Sequence, residues 1–157
     1  MLTFIMLATF AVFPGMMFEC RLIFIENIVN DPSKVTPWTF WAIVMIFNIC
    51  DTIGKLLVDT KLGNVSDTFA YILSFARLLV MANFFLVKYS VYQSDWFNLT
   101  NIILYGLTNG YCMNVIAVKS PKNAPDDKKS TIGIFISVFV IVGIMLGSLA
   151  AVFINNK

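Results

Sequence analysis

Apolar residues along this chain fall into five long runs separated by short polar connections. The runs cover residues 1–18, 38–58, 68–88, 96–118 and 131–154. Each holds roughly 18–24 residues, which at ~1.5 Å rise per residue matches a hydrocarbon core of ~30 Å. The connections carry turn chemistry: Asn30-Asp31-Pro32-Ser33, Gly63-Asn64, Gln93-Ser94-Asp95 and Ser120-Pro121-Lys122-Asn123-Ala124-Pro125. The pattern predicts an all-α, multi-pass integral membrane protein: five transmembrane helices in one membrane domain over 1–157, with the lipid bilayer as solvent. The first run has no basic residue ahead of it and no small-x-small cleavage pattern near its end, so it reads as a first helix and not as a signal peptide.

Composition supports this class and narrows the chemistry. Hydrophobic residues make up 59% of the chain and charged residues only 13%, with a mean hydropathy of +0.82. A soluble domain carries roughly 25% charged residues. The net charge of +2 is too small to suggest a nucleic-acid partner. There is no histidine, the commonest general base and metal ligand. Cys20, Cys50 and Cys112 are too widely spaced for a metal or redox motif. No catalytic residue, metal site or cofactor is expected.

Five spans place the termini on opposite sides. Lys61, Lys119, Lys122, Lys128 and Lys129 fall on the N-terminal side; Arg21, Lys34, Lys88 and Lys157 fall on the other. The dense basic loop at 119–129 predicts that the N-terminal side is cytoplasmic, or matrix-facing in an organelle. Trp38, Trp41 and Trp96 cluster at the opposite interface. The plasma membrane and an organellar membrane, the mitochondrial inner membrane included, both fit.

The second run breaks its apolar character at Asn48, Asp51 and Lys55. A charge inside a span costs ~2.5–3.5 kcal/mol on insertion scales and usually marks a site or a path. The i, i+3, i+7 spacing puts the three on one helix face, and Gly54 leaves room beside it for a helix or a ligand. Amide, carboxylate and ammonium together offer both donors and acceptors, a set suited to a sugar with two hydroxyls. The alternative is structural: Asp51 pairs with Lys55 one turn away, and the lysine stem snorkels to the headgroups. Arg77, near the middle of the third run, calls for an acidic partner, and Asp51 lies at a similar depth. Gly106, Thr108, Asn109 and Gly110 in the fourth run fit a packing ridge or a polar cavity wall. Gly143 and Gly147 in the fifth form a packing seam. Phe13-Pro14-Gly15 interrupts the first run, either as a gate or as a plain helix end.

These motifs, in this order, resemble the C-terminal half of the equilibrative nucleoside transporter family. The matching residues are Phe13-Pro14, Phe47-Asn48-x-x-Asp51-x-x-Gly54-Lys55, Ala76-Arg77-Leu78, Asp95-Trp96-Phe97, Asn109-Gly110-Tyr111, Ser120-Pro121-Lys122 and Gly143-x-x-x-Gly147. The resemblance implies the last five helices of an eleven-span, major-facilitator-like bundle working by alternating access. It implies a substrate site between two halves, with Asn48, Asp51 and Lys55 at the sugar and Phe13 near a gate. Arg77 and Asn109 complete the set of candidate substrate-binding residues. Lys55 stands where the family usually has arginine, which loses a planar two-pronged donor. Met1 falls at the seventh span, so the six preceding spans are expected to come from elsewhere.

Three readings follow. The chain is one half of a facilitative or proton-coupled nucleoside or nucleobase transporter, paired with a separate N-terminal half or with itself. Or it is a transporter-derived structural subunit of a larger membrane complex, such as a mitochondrial respiratory assembly, that no longer transports. Or it is a truncated gene product.

Overall fold

The computed structural model describes residues 1–13, 15–20, 22–29, 31–89 and 94–155. Six α-helices are described: α1 (Leu2–Val12), α2 (Ile23–Ile28), α3 (Pro32–Leu57), α4 (Asp67–Lys88), α5 (Asp95–Lys122) and α6 (Lys129–Asn155). Short 3-10 turns at Met16–Glu19, Lys61–Gly63 and Asp126–Lys128 link them, and no strand occurs among the described residues.

Local chemistry sets the helix ends. Asp31 accepts hydrogen bonds from the Ser33 backbone N–H at 3.0 Å and the Ser33 hydroxyl at 2.6 Å, capping α3, with Pro32 in the first turn. Ser66 caps α4 by accepting from the Phe69 N–H at 3.2 Å. Helix α1 stops at Val12, and Phe13 is extended at φ −96°, ψ 131°, the region to which a following proline restricts a residue. The expected first run of 1–18 is therefore an 11-residue helix completed by the 3-10 turn at Met16–Glu19. Pro14 and Arg21, both named in the sequence reading, lie outside the described residues, as does Lys157.

Two close helix pairs organise the bundle, α3 with α5 and α1 with α6, and α4 packs against α5. Glycines make both pairs possible. A Cβ at Gly106 would meet the Phe47 carbonyl oxygen at 2.8 Å, one at Gly110 would overlap the Asp51 carbonyl, and one at Gly54 would overlap the Leu107 carbonyl. The α3–α5 backbones thus touch through glycines on both sides. On α6, a Cβ at Gly143 would lie 2.6 Å from the Thr3 carbonyl oxygen, and one at Gly147 would lie 2.7 Å from that of Leu7. Small residues of this kind let membrane helices approach where no hydrophobic drive separates protein from lipid. Phe47 faces Gly106 and Asp51 faces Gly110, so α3 and α5 run parallel; the order of contacts on α6 makes α1 and α6 parallel too.

Val12, Met16, Met17, Leu22, Ile43, Phe47, Phe84, Ile102 and Tyr105 fill the core. Ile72, Leu79, Ile134, Ile141 and Phe153 stand exposed on the outer faces, as side chains that meet acyl tails do. Among the described residues, α3, α4 and α6 are long and apolar enough to cross a membrane. Helix α5 is 28 residues long and less apolar, and its polar side chains Asn98, Asn101 and Asn109 are buried in protein. Polar groups at membrane depth turned toward protein are the tolerated arrangement. The chain is an all-α membrane protein.

Side chains tie down the bundle ends. The Asp95 carboxylate accepts from the Ile23 and Phe24 backbone N–H groups, both at 2.8 Å, at the start of α2. The Lys88 ammonium donates to the Ile154 carbonyl at 2.7 Å in the last turn of α6. Tyr111 donates to the Leu62 carbonyl at 2.6 Å, and Lys119 reaches the Val65 carbonyl and the Asp67 carboxylate, holding the α3–α4 connection against α5.

Candidate functional site

Asp51 and Lys55 occupy the last two turns of α3, where a cation also suits the C-terminal end of the helix dipole. Lys55 Nζ lies 2.5 Å from Asp51 Oδ2. The two side chains are unequally exposed, 53% for the lysine and 11% for the aspartate. The ammonium therefore presents donors outward, while the carboxylate is turned into the bundle. There its other oxygen, Oδ1, accepts from Asn109 Nδ2 on α5 at 2.7 Å.

The network continues inward. Asn109 Oδ1 accepts from the Thr9 hydroxyl on α1 at 2.7 Å and from Arg77 Nη2 on α4 at 3.1 Å. The same Arg77 nitrogen donates to Thr9 Oγ1 at 2.8 Å. Arg77 is only 2% exposed, and its guanidinium carbon sits 4.8 Å from the centre of the Tyr105 ring. A desolvated cation–π contact of this kind is worth about 2 kcal/mol. Tyr105 in turn donates its hydroxyl to the Ala8 carbonyl of α1 at 2.7 Å. Arg77 Nε and Nη1 have no protein acceptor among the described residues. Four helices thus converge on one polar centre: α1 through Thr9, α3 through Asp51, α4 through Arg77 and α5 through Asn109.

The sequence-predicted residues divide into two groups. Asp51, Arg77 and Asn109 are buried together; Asn48 and Lys55 are exposed on α3. Arg77 does not pair directly with Asp51: its hydrogen bonds go to Thr9 and Asn109, and Asn109 carries the link to the carboxylate. Asn48 donates to the Val44 carbonyl at 2.7 Å, which leaves its side-chain oxygen free to accept. Thr52 donates to the Asn48 carbonyl at 2.8 Å and stands exposed between Asn48 and Lys55, so α3 carries one outward polar stripe with Asp51 at its inner edge. Phe13 stacks on Phe47 with ring centres 4.5 Å apart and planes 16° apart. It abuts the helix that carries the stripe. Gly54 makes room for α5.

Thr9 and Tyr105 escaped the sequence reading. The signal for Tyr105 was present: residues 98, 101, 105, 109 and 112 recur at helical spacing, and the structure buries all five. Thr9 is a lone hydroxyl in an apolar run, and nothing in its own neighbourhood distinguishes it from a threonine that bonds only to its own helix. A separate cleft of about 80 Å³ between α4 and α5 is lined by Asp67, Tyr71, Lys119 and Asn123 and shares no residue with this network.

An all-α membrane protein with one carboxylate and two cations gathered among its helices has the ingredients of a membrane carrier. The nucleoside transporter family profile matches residues 1–156, and the chain belongs to that family. It is 29% identical over 153 residues to equilibrative nucleotide transporter 1 of Arabidopsis thaliana, covering 94% of this chain and 31% of that protein. It is 24% identical over 135 residues to equilibrative nucleoside transporter 3 of Rattus norvegicus, covering 77% and 28% respectively. To adenosine transporter 1 of Crithidia fasciculata the identity is 21% over 150 residues, with 87% and 30% covered. The chain thus spans about a third of the length of the curated relatives it matches. No solved structure matches it.

Proposed function

We propose that this chain is the C-terminal half of a nucleoside transporter, with five membrane crossings, working by alternating access with a second half. Asn48, Asp51 and Lys55 hold the sugar of the nucleoside, and Phe13 lies at the edge of the path. The observation that carries this reading is the split of the charged pair: Lys55 is half exposed, while Asp51 is anchored from behind by Asn109. A purely structural pair has no need of an outward stripe that continues through Thr52 to Asn48. The stripe supplies donors from the ammonium and acceptors from the amide and hydroxyl oxygens, the complement of a vicinal diol. The N-terminal side faces the cytoplasm or an organellar matrix.

The second reading is a structural subunit of a larger membrane complex. It is favoured by the fact that both Asp51 oxygens are already engaged inside the chain. The two readings part in one experiment. The assembly is purified in mild detergent, its members are identified, and it is reconstituted into proteoliposomes with radiolabelled uridine or adenosine. A transporter takes up label, and Asp51→Asn lowers the uptake at least tenfold. A structural subunit brings down many unrelated chains, shows no uptake, and loses assembly with Asp51→Asn.

A further inference from the structure

We propose that Thr9 and Asn109, tied together by Arg77, are positioning residues that fix the Asp51 carboxylate; the binding arm of the argument rests on the function proposed above. The orientation of the Asn109 amide follows from counting hydrogens. Its Oδ1 lies within reach of Arg77 Nη2 at 3.1 Å and Thr9 Oγ1 at 2.7 Å. Its Nδ2 lies 2.7 Å from Asp51 Oδ1. A guanidinium nitrogen only donates and a carboxylate only accepts. Flipping the amide would set donor against donor at Arg77 and acceptor against acceptor at Asp51, so only one orientation satisfies both ends.

The Thr9 hydroxyl has one hydrogen and two acceptors at 2.7 Å, the Ile5 carbonyl and Asn109 Oδ1. Turned to Asn109, the hydrogen itself bridges α1 and α5; turned to Ile5, it leaves Arg77 Nη2, within reach of both oxygens, as the bridge. In either setting Arg77 Nη2 donates to a lone pair of the hydroxyl and lies within reach of Asn109 Oδ1, so Thr9 and the amide are held together. Each member constrains the next. The guanidinium is braced by the Tyr105 ring, the amide by Arg77 and Thr9, and the carboxylate by the amide. What reaches the Lys55 end is a carboxylate held at Oδ1 by the amide, which presents Oδ2 to the ammonium. The same chain of bonds couples the angle of α1 to the charged pair on α3, since Thr9 is the contribution of α1.

A role acting through Asp51 has a signature that a merely structural role lacks. In the assembled protein, Thr9→Val keeps the shape and removes the hydroxyl that Arg77 and Asn109 bind. It is expected to weaken nucleoside binding roughly fivefold to tenfold, the scale of one hydrogen bond, and Thr9→Ser is expected to restore binding. On an Asp51→Asn background, Thr9→Val is expected to add nothing, because the group it positions is already altered. An equal loss on that background, or no loss on the wild-type background, overturns the proposal. Infrared spectroscopy reads the same point without a nucleoside. The carboxylate stretch that disappears in Asp51→Asn shifts in Thr9→Val and in Asn109→Leu if these residues orient it. An unmoved band in both variants overturns the proposal. An absence of nucleoside binding in the wild type defeats the transporter reading alone and leaves the infrared result to decide this one.

Discussion

Tyr105 shows how one side chain serves two contacts that can be separated. Its hydroxyl holds α1 through the Ala8 carbonyl, while its ring carries the Arg77 guanidinium. Tyr105→Phe removes only the first. Thermal unfolding in detergent should report a loss of about 1 kcal/mol, the net worth of a typical hydrogen bond. Tyr105→Leu removes both and opens space beside a buried cation, so the loss should exceed 2 kcal/mol. The residue scale is also where the sequence was least informative. Asp51, Lys55 and Arg77 announce themselves as charges in apolar runs, and the sequence alone suffices to nominate them. It does not show that Asn109 stands between Asp51 and Arg77, because depth along two helices says nothing about their rotation. That relation depends on the glycine contacts that set how α3 and α5 face each other.

At the scale of elements, the helices were largely legible and their partners were not. Apolar runs and turn residues locate α3 to α6, and Phe13-Pro14 accounts for the early stop of α1 at Val12. Pairing of α3 with α5 and of α1 with α6 skips over chain neighbours, and no periodicity encodes that. Two glycine substitutions test the pairing. Gly110→Ala places a Cβ into the Asp51 carbonyl and should cost about 1–3 kcal/mol, the usual penalty of overpacking. Gly133→Ala meets nothing within 4 Å and should be neutral or gain up to about 1 kcal/mol from helix propensity. Equal effects at the two sites, read as unfolding midpoints, would contradict the packing described for α3 and α5. The cap of α3 has its own pH dependence. Hydrogen bonds from Ser33 hold the Asp31 carboxyl below the usual 3.8. Its contribution is therefore complete above that value and disappears as the pH falls through the lowered one. Ser33→Ala should bring the Asp31 titration, followed by carbon NMR, back up toward the usual value.

The described residues gather one polar centre among two parallel helix pairs and α4, and a contact between distant parts of the chain has a consequence for how it is made. Thr3 on α1 donates to the Phe139 carbonyl on α6 across 136 positions of the chain. Protein synthesis adds roughly 5–20 residues per second. At that pace roughly 7–27 seconds separate the synthesis of α1 from that of the helix that covers its Thr3, Met6 and Leu7 face. Until α6 is made, the face that will hold Gly143 and Gly147 lies open to lipid or to the insertion machinery, and until Arg77 and Asn109 are made, the Thr9 hydroxyl has only the Ile5 carbonyl of its own helix to bond. Asn109 is synthesised before α6 as well, so the polar centre can assemble while the outer seam is still unclosed. Chain order thus lets the inner contacts form before α6 closes the outer seam over α1.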